Sequence, residues 1–272
     1  MLRTMVTASN TMYQLQKQLD VIGNNISNID TQGFKKESAS FGEMIRQQMD
    51  NQPQEKNELG RSSAMGLREG NGAHLNIKTV FSQGIVKKTD RNLDLAFAEQ
   101  DQFLQISTEN GIRYTRDGAL YLSPAADGRL MLATAEGLPV SDSEGNPILL
   151  EENFKDIVIS KQGVLTTVPA VPGGPVQTAQ LGIVKITSPQ HLEKTGSNLY
   201  AIDNNRPLDE VLQLLNGPLR NEVNVQQGFL ESSNVDLSKE ISDLMIAQRS
   251  FQMNAKSISI GDQMLGLINS VR

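Results

Sequence analysis

Both ends of this chain carry apolar residues in steps of three and four, whereas its middle carries them in steps of two. At the start, Leu2, Met5, Ser9, Met12, Gln16, Leu19 and Ile26 follow such a row, with a missing step at Gly23 and with Tyr13, Leu15, Ile22 and Ile29 beside it. At the end, Leu237, Ile241, Leu244, Gln248, Phe251, Ala255, Ile258, Asp262 and Leu265 do the same. Such steps put residues on one helix face at heptad spacing. Both rows are partly polar, and a helix owes most of its stability to what its apolar face packs against. The C-terminal row therefore predicts a rod of about 50 Å that needs a partner, at 1.5 Å of rise per residue. Ser232, Ser233 or Asn234 is its expected N-cap, with Asp236 and Glu240 well placed near the positive end of the helix dipole.

Between these helices the period changes. "GIRYTRDGALYLSP" sets Ile112 and Tyr114 before an Asp-Gly pair and Leu120 and Leu122 after it, which predicts a hairpin turning at Asp117-Gly118. "GRLMLATAEGLPVSDSEGNPILL", "IVISKQGVLTTV" and "AQLGIVKITSP" predict further short strands with Gly and Pro at their ends. The expected fold class is α+β: a discontinuous, coiled-coil-like pair of terminal α-helices with an inserted all-β domain. The expected divisions are a terminal helical core from 1–34 plus 233–272, an extended connector from 35–90 plus 206–232, and an all-β outer domain over 91–205. The stretch 43–76, polar and dotted with glycine, is expected to be extended or flexible.

Composition narrows the function classes. A formal net charge of −6 and the lack of a Lys/Arg run argue against nucleic acid as a partner. With no cysteine in the chain, disulfides, Cys-ligated zinc and thiol catalysis are excluded. The two histidines, His74 and His191, stand far apart and neither has a second histidine at metal-ligand spacing. The pair Glu151-Glu152 has the character of a solvated acidic surface, and neither "NGAHLN" nor "VPGGPV" follows a phosphate-cradling pattern. No enzyme, cofactor, metal site or small-molecule substrate is expected. No run approaches the length of a membrane-spanning helix, and "MLRTMVTASNTMYQLQKQLDVIGNN" lacks the continuous apolar core of a secretory signal.

One local cluster resists a bland account. "NNISNIDTQGF" places Asn24, Asn25 and Asn28 within two turns of the first helix's end. Asparagine favours caps over helix interiors, and one or two such residues suffice to stop a helix. A third suggests amides used as multivalent hydrogen-bonding groups, each with two donors and a two-lone-pair acceptor.

"NNISNIDTQGFKK" resembles the N-terminal signature of the bacterial flagellar axial proteins, the rod and hook family. Asn24, Asn25, Asn28, Thr31, Gly33, Phe34 and Lys35 stand at the positions of that motif. "SNVDLSKEISDLMIAQRSFQMNAKSISIGDQML" is similar to the family's closing helix, with Ser233-Asn234-Val235-Asp236-Leu237 as its opening and Ala247-Gln248-Arg249-Ser250-Phe251 within it. "FSQGIVKKTDRNLDLAF", "YTRDGALYL" and "GRLMLATAEGLPV" resemble the segment that rod and hook subunits share. Where the family usually has a Gly-x-Gly-Phe-Phe turn, this chain has "EQDQFLQI", keeping Phe103 without the glycines. At 272 residues it has no room for the extra large domain of hook subunits.

The resemblance implies a structural subunit of the flagellar basal-body rod, most like the distal-rod type. It implies a helical polymer built through the terminal helices, which form inner layers and transmit torque from motor to hook. It implies export by the flagellar type III apparatus without a cleaved signal peptide, and a place outside the cytoplasmic membrane. The implied partners are copies of the chain, other rod and hook subunits, and that export apparatus. The expected subunit contacts are Asn24, Asn25, Asn28, Gly33, Phe34, Asn234, Leu237, Ile241, Leu244, Gln248, Phe251, Ala255, Ile258 and Leu265. The competing expectation is a binding or regulatory module whose end helices pair within one chain.

Overall fold

The computed structural model describes residues 2–43, 46–49, 67–70, 73–125, 127–202 and 207–270. Its helices are α1 (Leu2–Ser27), the single turn α2 (Leu208–Val211) and α3 (Leu237–Ser270). The chain divides into two compact units. One comprises residues 1–26, 37–78 and 236–272; the other comprises 27–36 and 79–235. Most of the expected flexible stretch lies outside the described residues. What is described of it forms two antiparallel ladders in the first unit, Glu37–Glu43 beside Ala73–Thr79 and Arg46–Met49 on Leu67–Gly70.

In the first unit the long helices run antiparallel. Near one end the Asn25 amide donates to Glu240 Oε2 at 3.1 Å, and near the other a Cβ on Gly261 would stand 3.1 Å from Met5 Cγ. These contacts are twenty residues apart in α1 and twenty-one in α3, so the helices stay level over about 30 Å. Their inward faces differ from the expected rows. In α1, Gln14, Leu15, Val21, Ile22 and Asn25 are buried, while Ser9 and Gln16 are exposed. In α3 the buried positions are Glu240, Ala247 and Gly261, and Leu244, Phe251, Asn254, Ala255, Ile258 and Leu265 are half-buried. The true seam thus keeps the expected Leu244, Phe251, Ile258 and Leu265, but its second column lies one residue before Ile241, Gln248, Ala255 and Asp262. At Gly261 the missing side chain leaves room for Met5 of α1. Asp236 caps α3, its Oδ1 accepting the Ser238 and Lys239 amides at 3.0 and 3.3 Å. Asn234, one of the three expected caps, has its amide committed elsewhere.

The second unit is β throughout, apart from one turn of α-helix and two short 3-10 segments. Its largest sheet has six antiparallel strands in the order Leu192–Gly196, Leu199–Ile202, Gly111–Thr115, Gln102–Thr108, Ile183–Ile186 and Leu212–Leu214. Two three-stranded sheets accompany it, Leu149–Leu150 with Leu130–Thr134 and Leu120–Pro124, and Phe154–Ile159 with Val164–Pro169 and Thr178–Gln180. Leu95, Phe97, Leu104, Ile106, Leu120, Leu132 and Leu165 form the centre of a dry core between them. Strands from the stretch 206–232, expected as connector, complete this unit: Val225–Gln227 pairs with Leu95–Phe97, and Phe229–Glu231 with Val86–Lys88.

The hairpin expected at Asp117-Gly118 does not form. Gly111–Thr115 pairs back with Gln102–Thr108 through Glu109-Asn110, whereas Leu120–Pro124 leaves for a different sheet. Local hydrogen bonds redirect the chain: Thr115 Oγ1 accepts the Asp117 amide and Asp117 Oδ1 accepts the Ala119 amide, each at 3.0 Å. A Cβ at Gly118 would lie 1.8 Å from the Leu95 carbonyl oxygen, so this Asp-Gly pair is spent on a tight crossing rather than on a two-residue turn.

Candidate subunit-contact surface and buried charge cluster

The residues singled out from the sequence separate into two populations. Asn25, Gly33, Phe34 and Asn234 are tied down within the chain, whereas much of α3 faces outward. In the first unit, Asn25 is almost wholly buried. Its Nδ2 donates to the Glu37 carbonyl at 2.8 Å as well as to Glu240, and its Oδ1 accepts the Glu37 amide at 2.9 Å. Asn24 is exposed on α1, and Asn28 Oδ1 accepts from the Thr31 hydroxyl at 3.1 Å. The asparagine cluster is therefore not three copies of one function.

In the second unit, Gly33 adopts φ +65°, and a Cβ there would stand 2.5 Å from the Arg116 carbonyl group. A side chain is thus doubly excluded, by conformation and by space. Phe34 is buried under the Lys194 ammonium, 4.5 Å above the ring centre. Asn234 holds two other segments: its Oδ1 accepts the Lys36 amide at 2.8 Å, and its Nδ2 donates to the carbonyls of Val80 and Ser82 at 2.8 and 3.0 Å.

Beside these lies a buried charge cluster absent from the expected site. Glu231 Oε1 accepts from Lys35 Nζ at 2.5 Å and from the Gly84 amide at 2.8 Å. Its Oε2 accepts from Arg116 Nη2 at 2.6 Å and Nε at 3.0 Å. Further donors are used as well: Arg116 Nη1 meets the carbonyls of Glu99 and Gln102, and Lys35 Nζ meets that of Ser82. Burial, and then the neighbouring Arg116, lower the Lys35 pKa; burial lowers that of Arg116. Burial pushes the Glu231 carboxyl upward, but Arg116 and Lys35 outweigh it and hold the group below its ordinary value. Extensive hydrogen bonding together with the opposite charges makes such a buried charge set tolerable.

On α3, Leu237 and Ile241 are exposed, as is Gln248. The most exposed apolar column of α3 lies outside the expected list: Ile246, Met253, Ile260 and Leu267 are 64, 69, 46 and 66% exposed. Their spacing of seven is legible in the sequence, and the expected row runs along the other side of α3. On α1, Val6 and Tyr13 are also exposed, again seven apart. Among the described residues no group of three or more His, Cys, Asp or Glu could hold a metal ion, and no helix is long and apolar enough to cross a membrane.

Three family models match the chain. Residues 5–35 match "Flagella basal body rod protein", 99–167 match "Flagellar hook protein FlgE/F/G D1 domain", and 226–271 match "Flagellar basal body rod FlgEFG protein C-terminal". The chain is 47% identical to the flagellar hook-basal body complex protein FlhP of Bacillus subtilis (strain 168), over the whole of both chains. It is 34% identical to the flagellar basal-body rod protein FlgG of the same organism, over 97% of each chain. To FlgG of Borreliella burgdorferi it is 30% identical over 100% of this chain and 99% of the relative.

Proposed function

This chain belongs to the flagellar basal-body rod family and is a structural subunit of the rod; from that premise we propose that it polymerises helically through the outward faces of α1 and α3. The observation that carries the reading is the column Ile246, Met253, Ile260 and Leu267, still exposed after α1 and α3 have paired. Covering each of these side chains is worth on the order of 1–2 kcal/mol, since full burial of one contributes about 1.5–3 kcal/mol. A seven-residue period in such a column suits a helix of another copy. A surface that meets a different surface of the next copy, with a rotation that does not close, builds a helical filament.

In this reading the subunit stiffens the shaft that carries torque from motor to hook, among other rod and hook subunits. Likeness to FlgG supports a distal-rod position. Export through the flagellar type III apparatus is part of the same reading and rests on the likeness to rod and hook subunits. Asn24, Leu237, Ile241 and Gln248 lie exposed along the same helices and are proposed as further subunit contacts. For Asn25, Gly33, Phe34 and Asn234 we propose an indirect part, because their side-chain and backbone groups already serve partners within the chain.

The test replaces Ile246, Met253 and Ile260 together by Ser. Sedimentation velocity across a concentration series, with swimming in a strain carrying only the variant, reads the result. The expected outcome is a folded chain that stays monomeric at concentrations where the parent associates, and loss of swimming. Normal association and swimming would overturn the assignment of this column.

A further inference from the structure

The chain passes between its two units at four places, 26/27, 36/37, 78/79 and 235/236. On the second unit's side, three of these passages end in segments that Glu231 and Asn234 hold together. Those segments are Gly33 to Lys36, Val80 to Gly84, and Phe229 to Asn234 itself. We propose that Glu231 and Asn234 form a clamp that makes the seating of these three segments one cooperative event, so that none leaves the β unit alone.

The connections are reciprocal. Glu231 reaches the first segment through Lys35 Nζ and the second through the Gly84 amide. Its main-chain oxygen also accepts the Gly33 amide at 2.7 Å. Asn234 repeats the pattern one turn of chain later, with the Lys36 amide on one side and the Val80 and Ser82 carbonyls on the other. The first and second segments are joined directly as well, by the Val80 amide to the Lys36 carbonyl at 2.9 Å and by Lys35 Nζ to the Ser82 carbonyl at 2.9 Å. Each segment thus carries bonds to both others.

Charge adds to the coupling, and it does so most strongly at the C-terminal segment. Glu231 carries the anion for two buried cations, and Arg116 is fixed in the β framework by the Glu99 and Gln102 carbonyls at 2.6 and 2.7 Å. If Gly33 to Lys36 lifts away, Lys35 is solvated but Arg116 and Glu231 remain. If Phe229 to Asn234 lifts away, Arg116 and Lys35 are left buried without a counter-charge, which is strongly penalised. The last arrangement is the least populated, so the C-terminal strand is the keystone. A second buried guanidinium in this unit, Arg220, is held by the Gln162, Leu181 and Gly163 carbonyls, with no carboxylate among the described residues. It ties no passage and serves as the contrast.

The clamp is a property of the single folded chain and does not rest on polymerisation. It is tested by native-state hydrogen exchange on the full chain, comparing the parent with Glu231→Gln, Asn234→Ala and Lys35→Met. In the parent, the Gly33, Val80 and Gly84 amides exchange at one shared opening rate. In Glu231→Gln all three speed up about tenfold or more, including Val80, whose amide does not touch Glu231, while the Leu181 amide near Arg220 keeps its rate. Acceleration confined to Gly33 and Gly84 would overturn the cooperative clamp. So would an equal acceleration at Leu181, which would make Glu231 an ordinary part of the core. Lys35→Met leaves one ion pair intact and is expected to show the same three-amide pattern at smaller amplitude, which keeps the test open if Glu231→Gln fails to fold.

Discussion

The β unit closes its own core; the helical unit does not. In the β unit, Leu104, Ile106, Leu120, Leu132 and Leu165 are inaccessible to solvent or nearly so, and strands from three sheets surround them. In the helical unit, α3 is long, yet Ala247 is its one buried hydrophobic residue among the described positions, and its seam is shared with Glu240 and half-buried Asn254. The β unit is therefore finished by intrachain apolar burial, while in the helical unit Leu244, Phe251, Ile258 and Leu265 are only half-buried and Ile246, Met253, Ile260 and Leu267 stand exposed. A seam that mixes half-buried Leu, Phe and Ile side chains with Glu240, Ala247, Asn254 and Gly261 sets alignment at the expense of depth. An outward column of Ile, Met and Leu is what an assembling surface requires.

The comparison breaks most visibly at Glu231. Glu231→Leu strands Lys35 and Arg116 without their counter-charge, and the β unit is expected to lose about 3–5 kcal/mol in chemical denaturation. Acid has a milder form of the same effect. The folded-state pKa of Glu231 is lowered, so its contribution is complete above the unfolded carboxylate value and drains away as pH falls through the lower folded value. A denaturation series on acidification is expected to show a β-unit slope that Glu231→Gln removes.

Next in size is the apolar core. Leu104→Ala leaves a cavity in the β unit and is expected to lower that unit's stability by about 2–5 kcal/mol, leaving helical ellipticity unchanged at low denaturant. Asn25→Ala acts on the other side of the comparison. It strips both Glu37 backbone contacts and the Glu240 contact, with an expected loss of about 1–3 kcal/mol in the helical unit. Thermal scans at 222 nm beside near-ultraviolet signals from the β unit's tyrosines separate the two. Gly261→Ala is the smallest case: Met5 has to yield by a few tenths of an ångström, and a shift of about 1 kcal/mol or less in the helical transition is expected.

Period carried most of what was legible beforehand. Steps of three and four located α1 and α3, and alternation located the β unit. Phase was harder. On α3 the column containing Ile241 and Gln248 and the column containing Glu240 and Ala247 differ by a single residue, and a count of apolar positions favours the wrong one. Gly261 was a usable signal, because a glycine inside a long helix marks a close approach, here to Met5. The Asp117-Gly118 pair was misleading for a different reason. Its turn chemistry is real, but Gly118 is required by the nearness of Leu95, and that neighbour is distant in sequence. The clamp lay furthest from reach: Lys35, Arg116 and Glu231 are charged residues separated by 81 to 196 positions, and charged residues at such intervals belong in general to solvated surfaces. Motif likeness drew attention to Gly33, Phe34 and Asn234 without revealing that they serve the chain's own folding.

The central claim is that α3 is completed by other copies of the chain. Hydrogen exchange of the Ile246 to Leu267 amides, measured on the same protein in dilute solution and after concentration into polymers, addresses it most directly. The expected result is rapid exchange in dilute solution and marked protection in the polymer, with the amides of Leu104, Leu132 and Leu181 protected alike in both. Equal protection of α3 under the two conditions would contradict the account.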